Sequence, residues 1–274
     1  MDLRPIGVFD SGLGGLTAVR RLMQRLPGED IVYFGDTGRV PYGTRSAATI
    51  AEYAGQDCRF LEKQNVKLII AACGTVSSVA PHVLRQAAVP AFGVVEPTAA
   101  AAAAATVNGR VGILGTSATV RSGAYEQQLR RINPSIQTVA QACPLFVPLV
   151  ESGWIARDDE AAVAVAKRYL QPMKDAGVDT LILGCTHFPL LSDIIRDRMG
   201  DGVTLIDSGA CCADACARLL TQQGLASGRE TGGGGRFFVS DRPEDFSAVA
   251  HRFLGREIGS RVLVAHAEEP AICP

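Results

Sequence analysis

The chain alternates between short, uniformly apolar runs and longer segments in which apolar residues recur every three or four positions. Uniformly apolar runs are typical of parallel strands covered on both faces, and the longer segments are typical of amphipathic helices. We predict strands at residues 6–9, 31–34, 68–72, 91–95, 111–114, 136–139, 180–183, 203–206 and 236–240. We predict helices at residues 16–25, 46–64, 76–86, 99–106, 123–131, 158–176, 190–199, 210–223 and 243–254. Repetition of strand then helix predicts an α/β fold with mostly parallel sheets.

Two of these helices carry local start signals. Pro97 lies just before a run of alanines, and proline is well tolerated in the first turn of a helix. Asp241 is followed three residues later by Glu244, which predicts a capping box at the start of the helix at 243–254.

An internal repeat predicts how the chain is organised. Residues 66–73 resemble residues 178–185, and both segments end an apolar strand with a cysteine. Residues 6–12 likewise match 111–117, and residues 94–97 match 205–208. We infer a duplicated unit of about 105 to 112 residues, a common domain size. The first α/β domain is predicted at 1–97 and 208–274, with the C-terminal segment returning to it, and the second at 98–207.

Polar residues follow several predicted strands, and ligands of open α/β sheets bind at the carboxyl ends of the strands. The first copy offers Asp10, Ser11, Asp36, Thr37, Cys73, Gly74 and Thr75. The second copy offers Thr116, Thr119, Cys185, Thr186 and His187. If the copies face each other as pseudosymmetric domains, one cysteine enters the cleft from each side. That geometry suits removal of a proton from one face of a carbon and its return to the other face.

Thiols suit this chemistry because a thiolate is a competent base whose pKa falls near a helix N-terminus or a cation. Cys73 precedes a predicted helix start, so we expect backbone N–H groups to favour its thiolate. Asp10 and His187 could shuttle or orient protons for the two thiols. Most buried cysteines only fill space, and we expect this of Cys58, Cys143 and Cys273. For Cys211, Cys212 and Cys216, we favour packing on a helix over a metal site.

Other site types are disfavoured. The glycine-rich loop at 12–15 lacks the dinucleotide fingerprint and the P-loop lysine, so a tight turn or a carboxylate cradle is favoured there. No lysine follows a predicted strand, which argues against pyridoxal phosphate. The residues thus disfavour a nucleotide, pyridoxal phosphate and a metal ion. Glu151 follows an apolar run and could face either the cleft or solvent.

Composition narrows the function further. The 274 residues carry 27 Lys and Arg against 28 Asp and Glu, a net charge of −1, which argues against nucleic-acid or polybasic membrane binding. Eight cysteines are too dilute for a disulfide scaffold. The segment before Ile6 lacks a signal-peptide pattern, and the alanine run at 99–105 is too short to span a bilayer. We expect a cytoplasmic protein.

Four motifs in order resemble the glutamate racemase family of the aspartate/glutamate racemase superfamily. They read FDSGLGG at 9–15, VPYG at 40–43, ACGT at 72–75 and GCTHFPL at 184–190, and the segment at 115–125 also fits. The resemblance covers nearly the whole chain from Ile6 to about Leu220. It implies cofactor-independent interconversion of L- and D-glutamate for peptidoglycan, by two pseudosymmetric α/β domains with the active site between them, in a homodimer.

The resemblance also implies residue roles. Cys73 and Cys185 would be the two acid/bases, with Asp10 and His187 as their partners, and Glu151 matches a further acidic position near the second thiol. Together with the hydroxyl donors of the strand ends, the substrate-binding residues would be Asp10, Ser11, Pro41, Tyr42, Gly43, Gly74, Thr75, Thr116, Thr119, Thr186 and His187. The family commonly has Asn after the first cysteine, whereas this chain has Gly74 and lacks that side-chain amide.

Three alternatives remain at this stage. An aspartate racemase or another two-cysteine racemase would share the same motifs. A two-lobed amino-acid-binding protein would use the same cleft, but simple binding does not need paired thiols. A thiol redox protein would form a bridge between Cys73 and Cys185 on oxidation.

Overall fold

In the computed structural model, ten strands form two parallel sheets, and the described residues are 1–258, 262–265 and 267. Cys273, for which we predicted packing, lies outside the described residues. The strands are β1 (Ile6–Asp10), β2 (Ile31–Gly35), β3 (Leu68–Ala71), β4 (Ala91–Gly93), β5 (Arg110–Gly115), β6 (Gln137–Ala142), β7 (Thr180–Leu183), β8 (Thr204–Asp207), β9 (Gly235–Val239) and β10 (Val262–Val264). The predicted α/β class with mostly parallel sheets is confirmed.

The two sheets share one strand order. The first sheet runs β10-β9-β2-β1-β3-β4 and the second runs β6-β5-β7-β8, so β2-β1-β3-β4 corresponds to β6-β5-β7-β8. Equal order in the two sheets is what a duplicated unit produces. Beyond this common part, β9 and β10 extend only the first sheet, where β9 pairs with β2. Two sheets suggest two domains, while the predicted boundaries at 97 and 208 stay predictions.

Helices cover both faces of the sheets. They are α1 (Leu16–Arg25), α2 (Ala47–Lys63), α3 (Gly74–Val79), α4 (Pro81–Leu84), α5 (Val95–Ala105), α6 (Ser117–Ser122), α7 (Ala124–Ile132), α8 (Phe146–Glu151), α9 (Glu160–Asp175), α10 (Ser192–Met199), α11 (Ser208–Gln222) and α12 (Pro243–Leu254). Single 3-10 turns lie at Thr37–Arg39, Tyr42–Thr44 and Phe188–Leu191. Because strands β1, β2, β3 and β7 are buried along their whole length, the apolar runs of the sequence form the sheet interiors.

Three helix predictions were wrong in detail. The helix predicted at 76–86 is split into α3 and α4 at Ala80, because Pro81 lacks an N–H and disfavours helical geometry in the residue before it. Asp241 does not cap α12: the N-cap is Arg242, with φ at 49°, and the Asp241 carboxylate accepts a hydrogen bond from the Arg242 N–H instead. The helix predicted to begin at 190 begins at Ser192, because Leu190 and Leu191 belong to the 3-10 turn that precedes α10.

Three elements were missed, namely α6, α8 and β10. Each has three or six residues, so none is long enough to show a helical or strand period in the sequence. The short helix α8 also contains Pro148, which sequence rules treat as a helix breaker. In the described part of the chain, no helix has the length and apolar character needed to cross a membrane.

Candidate active site

A cavity of about 360 Å³ lies where the carboxyl ends of β3 and β7 approach each other. Residues from both sheets line it, which is the location expected for a ligand in parallel α/β sheets. The predicted site residues among its lining are Ser11, Pro41, Tyr42, Gly43, Cys73, Gly74, Thr75, Thr116, Glu151, Cys185, Thr186 and His187. The predicted residues Asp10 and Thr119 are buried beside the cavity and are not part of its lining.

Cys73 lies two residues after the end of β3 and is the N-cap residue of α3. Its thiol donates a hydrogen bond to Ser11 Oγ at 3.5 Å. Burial, with the nearby Asp10 carboxylate, raises the pKa of Cys73 to about 12, although Ser11 and backbone N–H groups act in the opposite direction. The backbone N–H groups do favour the thiolate as expected, but desolvation and the neighbouring carboxylate outweigh them, so the net pKa is raised.

Asp10 ends β1 and is almost fully buried. Its Oδ2 accepts a hydrogen bond from the Gly12 N–H at 3.1 Å, and its Oδ1 has no hydrogen-bond partner among the described residues. Burial raises the pKa of this carboxyl group, and His187 and the backbone N–H groups of the following loop oppose the rise. A buried carboxyl oxygen without a partner is an available acceptor or proton carrier beside Cys73.

Cys185, His187 and Glu151 form a continuous chain on the other side of the cavity. The Cys185 Sγ lies 3.8 Å from His187 Nδ1, and His187 Nε2 lies 3.0 Å from Glu151 Oε1. Burial disfavours the imidazolium, but hydrogen bonds to Cys185 and Glu151 outweigh it and raise the pKa of His187 to about 10. The imidazolium form of His187 is thus favoured in its place between the Cys185 sulfur and the Glu151 carboxylate.

The glycine-rich loop brings the start of α1 against the Cys185 side of the site. A Cβ at Gly14 would overlap Thr186 Oγ1, and a Cβ at Gly15 would lie 2.5 Å from the Asp10 Cβ. Thr17 Oγ1 donates a hydrogen bond to the Thr186 carbonyl at 2.8 Å. These glycines permit close packing of the two halves, which agrees with the tight-turn interpretation.

The loop at 40–43 follows the first 3-10 turn and contains the cis peptide bond Val40-Pro41. The Tyr42 hydroxyl donates to Asp36 Oδ2 and lies 3.2 Å from Asp57 Oδ2. Arg39 pairs with both carboxylates, at 2.6 Å to Asp36 and 3.2 Å to Asp57. Asp36, which we had placed in the cleft, is instead fully buried under this loop and anchors it. The same correction applies to Thr37, whose hydroxyl donates to the Asp241 carbonyl at 2.6 Å.

A hydroxyl chain joins the two sheets at the cavity wall. Thr75 Oγ1 lies 3.0 Å from Thr116 Oγ1, which lies 3.0 Å from Thr119 Oγ1. Thr116 also caps α6, since its hydroxyl accepts a hydrogen bond from the Thr119 N–H at 3.2 Å. Thr119 thus supports Thr116 from behind, which explains why it does not reach the cavity.

Sequence reasoning missed the contribution of one loop. Cys143 is fully buried in the hydrophobic core, as predicted, but it also lines the cavity together with Pro144, Val147 and Pro148. In the structure, β6 ends at Ala142 and not at the predicted 139, so Cys143 follows the carboxyl end of a strand as Cys73 and Cys185 do. Cys58, Cys212 and Cys216 are buried among apolar residues as expected. Among the residues described, no three His, Cys, Asp or Glu side chains are grouped to hold a metal ion.

The chain is similar to known racemases over most of its length. The Asp/Glu/Hydantoin racemase family model matches residues 12–216. A glutamate racemase of Geobacter metallireducens is 46% identical over 260 residues, covering 94% of this chain and 96% of that protein.

Solved structures agree. The crystal structure of glutamate racemase from Francisella tularensis in complex with D-glutamate is 39% identical, with a TM-score of 0.89 over 98% of this chain and 99% of that one. The glutamate racemase isoform RacE1 of Bacillus anthracis is 33% identical, with a TM-score of 0.92 over 97% and 98% of the two chains. Motifs, cavity and similarity thus converge: the chain belongs to the Asp/Glu/Hydantoin racemase family and groups within it with the glutamate racemases.

Proposed function

We propose that this protein interconverts L- and D-glutamate by proton transfer between two thiols, without an organic cofactor or a metal ion. The observation that carries the proposal is the placement of Cys73 and Cys185. They follow the corresponding strands β3 and β7 of the two sheets and line one cavity. The relatives are glutamate racemases, and one is described in complex with D-glutamate, which supports glutamate as the substrate.

In the proposed reaction, one cysteine as thiolate removes the α-proton and the opposite cysteine as thiol donates a proton to the other face of the α-carbon. The C–H bond that breaks leaves its electron pair on a carbanion, and its proton forms a new S–H bond on the first cysteine. The S–H bond already present on the opposite cysteine then breaks and supplies the proton that forms the other enantiomer. After the reaction, the cysteine that began as the thiolate is a thiol, and the other cysteine is a thiolate. The reverse reaction, from the other enantiomer, therefore starts with the roles of the two cysteines exchanged. In the resting protein the raised pKa keeps a proton on Cys73.

The weak acidity of an α-carbon beside a carboxylate is the main barrier, and oriented donors in a closed cleft reduce it. Thr75, Thr116 and Thr186 are the lining hydroxyls for this role, with Ser11 on the Cys73 side. Backbone groups of Gly43 and Gly74, and the Pro41–Tyr42 loop, would complete the substrate site. Asp10 would exchange protons with Cys73, and the His187–Glu151 pair would do so with Cys185.

The test is racemisation in deuterated water. Wild-type protein should form D-glutamate from L-glutamate and incorporate solvent deuterium at the α-position. Cys73→Ala and Cys185→Ala should each lower racemisation by at least about 100- to 10,000-fold while glutamate still binds. Cys58→Ala is the matched control, because that thiol is similarly buried but belongs to α2 and packs in the hydrophobic core. Full activity of either site variant would exclude the two-thiol scheme.

The same assay separates the alternatives. Faster turnover of L-aspartate than of L-glutamate would identify an aspartate racemase, and glutamate binding without α-deuteration would identify a binding protein. A Cys73–Cys185 bridge detected by mass spectrometry, with no racemisation in the presence of reductant, would identify a redox protein.

The proposal extends to the role in the cell. D-Glutamate would be supplied for peptidoglycan, by a homodimer in the cytoplasm. The reducing cytosol is the compartment that keeps two catalytic thiols available. Light scattering of the purified protein tests the dimer, and growth of a depletion strain with and without D-glutamate tests the cellular role.

A further inference from the structure

The last turn of α12 lies against the His187–Glu151 pair from outside the cavity. This helix is part of the segment beyond residue 216, where the family match ends. Arg252 Nη1 donates to the carbonyl oxygens of Val150, at 3.3 Å, and Glu151, at 2.9 Å. The next residue, Phe253, meets the His187 ring edge-on, with centroids 5.3 Å apart at 85°. One turn of helix therefore contacts both members of the pair.

The Arg252 contact is made at the C-terminus of α8, whose last residue is Glu151. The final carbonyls of a helix lack partners within the helix and attract cations. The turn after α8 leaves room for the guanidinium: Gly153 has φ at 84°, and a Cβ there would lie 2.8 Å from Arg252 Nη2. Arg252 therefore fixes the backbone from which the Glu151 carboxylate reaches His187.

The Phe253 contact acts on the ring itself. Phe253 is fully buried and His187 nearly so, so their edge-to-face packing is closed to water. This packing holds the imidazole in the plane that directs Nδ1 to Cys185 and Nε2 to Glu151. Without it, the ring could rotate about its side-chain bonds and lose one of the two contacts.

We propose that Arg252 and Phe253 are positioning residues for the Cys185 side of proton transfer, a role that rests on the proposed racemase function. Arg252 places the Glu151 carboxylate, and Phe253 sets the orientation of the His187 ring between Glu151 and Cys185. The charged and titratable groups that face His187 are then Asp10 from the β1 end, Cys185 from the β7 end and Glu151 from α8. The raised pKa of His187 agrees with this arrangement, because burial alone would lower it and the two hydrogen bonds raise it.

The test compares variants at the two ends of α12. Arg252→Ala and Phe253→Leu should lower kcat for glutamate by roughly 10- to 100-fold with KM changed less than about twofold, as expected for misplaced proton-transfer groups. Arg252→Lys should recover part of the loss of Arg252→Ala, and added guanidinium should do the same. The controls are Arg242→Ala, an exposed arginine at the start of the helix, and Phe246→Leu, a buried phenylalanine that packs on Tyr33.

A second measurement does not depend on activity. In 15N spectra of the imidazoles, with His187→Gln for assignment, the pKa of His187 should fall in Arg252→Ala and Phe253→Leu and stay unchanged in the controls. If kcat and the His187 titration are unchanged in both variants, the proposal is overturned. It is also overturned if only KM or stability changes. If wild-type protein does not racemise glutamate, the proposed function fails, and the titration alone still decides the positioning role.

Discussion

Gly74 packs directly against the carbonyl oxygen of Gly184, so that the turns carrying Cys73 and Cys185 touch through their backbones. A Cβ at position 74 would overlap that oxygen. The two glycines follow strands of different sheets, Gly74 after β3 and Gly184 after β7, and each is adjacent to one of the proposed acid/bases. The absence of a side chain at Gly74 therefore helps to set how closely the two thiols approach the cavity.

Substitution of Gly74 should separate these turns. We expect Gly74→Ala to destabilise the fold by about 1–3 kcal/mol, because the neighbouring atom is backbone and cannot rotate away, and to lower kcat. Gly74→Asn, which introduces the residue common in the resembled family, should not raise activity because it carries the same Cβ. Urea denaturation and racemisation assays measure both effects.

Gly55→Ala is the matched control for this substitution. A Cβ there lies 3.3 Å from the end of the flexible Arg59 side chain inside α2, and alanine favours helix. Wild-type stability and kcat in Gly74→Ala would show that the two turns tolerate the extra carbon.

The pKa of His187 predicts an alkaline limb in the activity. Its value of about 10 means that the imidazolium is lost as pH rises through 10. Glu151→Gln removes one of the interactions that raise this pKa, so the alkaline limb of kcat/KM should move to lower pH, by up to about one unit. Rates from pH 6 to 11 measure it, with Glu160→Gln, at the exposed start of α9, as control. An unmoved limb would assign it to another group.

Asp57 should be protonated in the fold. The single Tyr42 hydroxyl proton is shared between Asp36 Oδ2 and Asp57 Oδ2, the latter at 3.2 Å, so it cannot fully satisfy two carboxylates. Burial and the neighbouring Asp36 raise the pKa of Asp57 well above 3.8. A raised pKa stabilises the fold at low pH, and this contribution is lost as pH rises above 3.8 toward the pKa in the fold.

Asp57→Asn supplies an N–H donor that does not depend on pH, so the variant should be at least as stable as wild type at pH 7. The difference in the free energy of unfolding between the two should shrink toward pH 4. Asp57→Ala should lose about 2–4 kcal/mol, since it leaves Tyr42 and Arg39 without a buried partner. Urea denaturation between pH 4 and 8 tests this, with the exposed Asp201→Asn as control. A pH-independent loss in Asp57→Asn would contradict a protonated Asp57.

The hydroxyls of Thr75 and Thr116 should act together. Thr75→Val and Thr116→Val each leave the other hydroxyl without its partner across the cavity, so the losses in kcat/KM should not add. A double-mutant cycle should give a coupling of about 0.5–1.5 kcal/mol. Thr116→Ser, which keeps the hydroxyl and the cap of α6, should stay near wild type. Additive losses would show that the two residues act separately.

The sequence by itself determined the α/β class, the duplicated unit and the two cysteines at matched strand ends. Strand periodicity and local motifs depend only on residues that are close together in the sequence, so they can be read without knowledge of the packing. The same local signals misjudged the helix at 76–86, although Pro81 marked its interruption. They also hid Cys143, because a strand boundary displaced by three residues moved it away from the predicted edge of the sheet.

Only the tertiary structure decided which groups are neighbours. Asp36 is a strand-end residue like Asp10, yet it lies under the Tyr42 loop and shares Tyr42 and Arg39 with Asp57, 21 positions along the chain from it. Phe253 of α12 packs on His187, which lies 66 positions earlier in the chain. Gly74 packs on Gly184, which lies 110 positions later. The pKa of Cys73 depends on the same packing, because desolvation is set by everything that covers the thiol and not by its own helix alone.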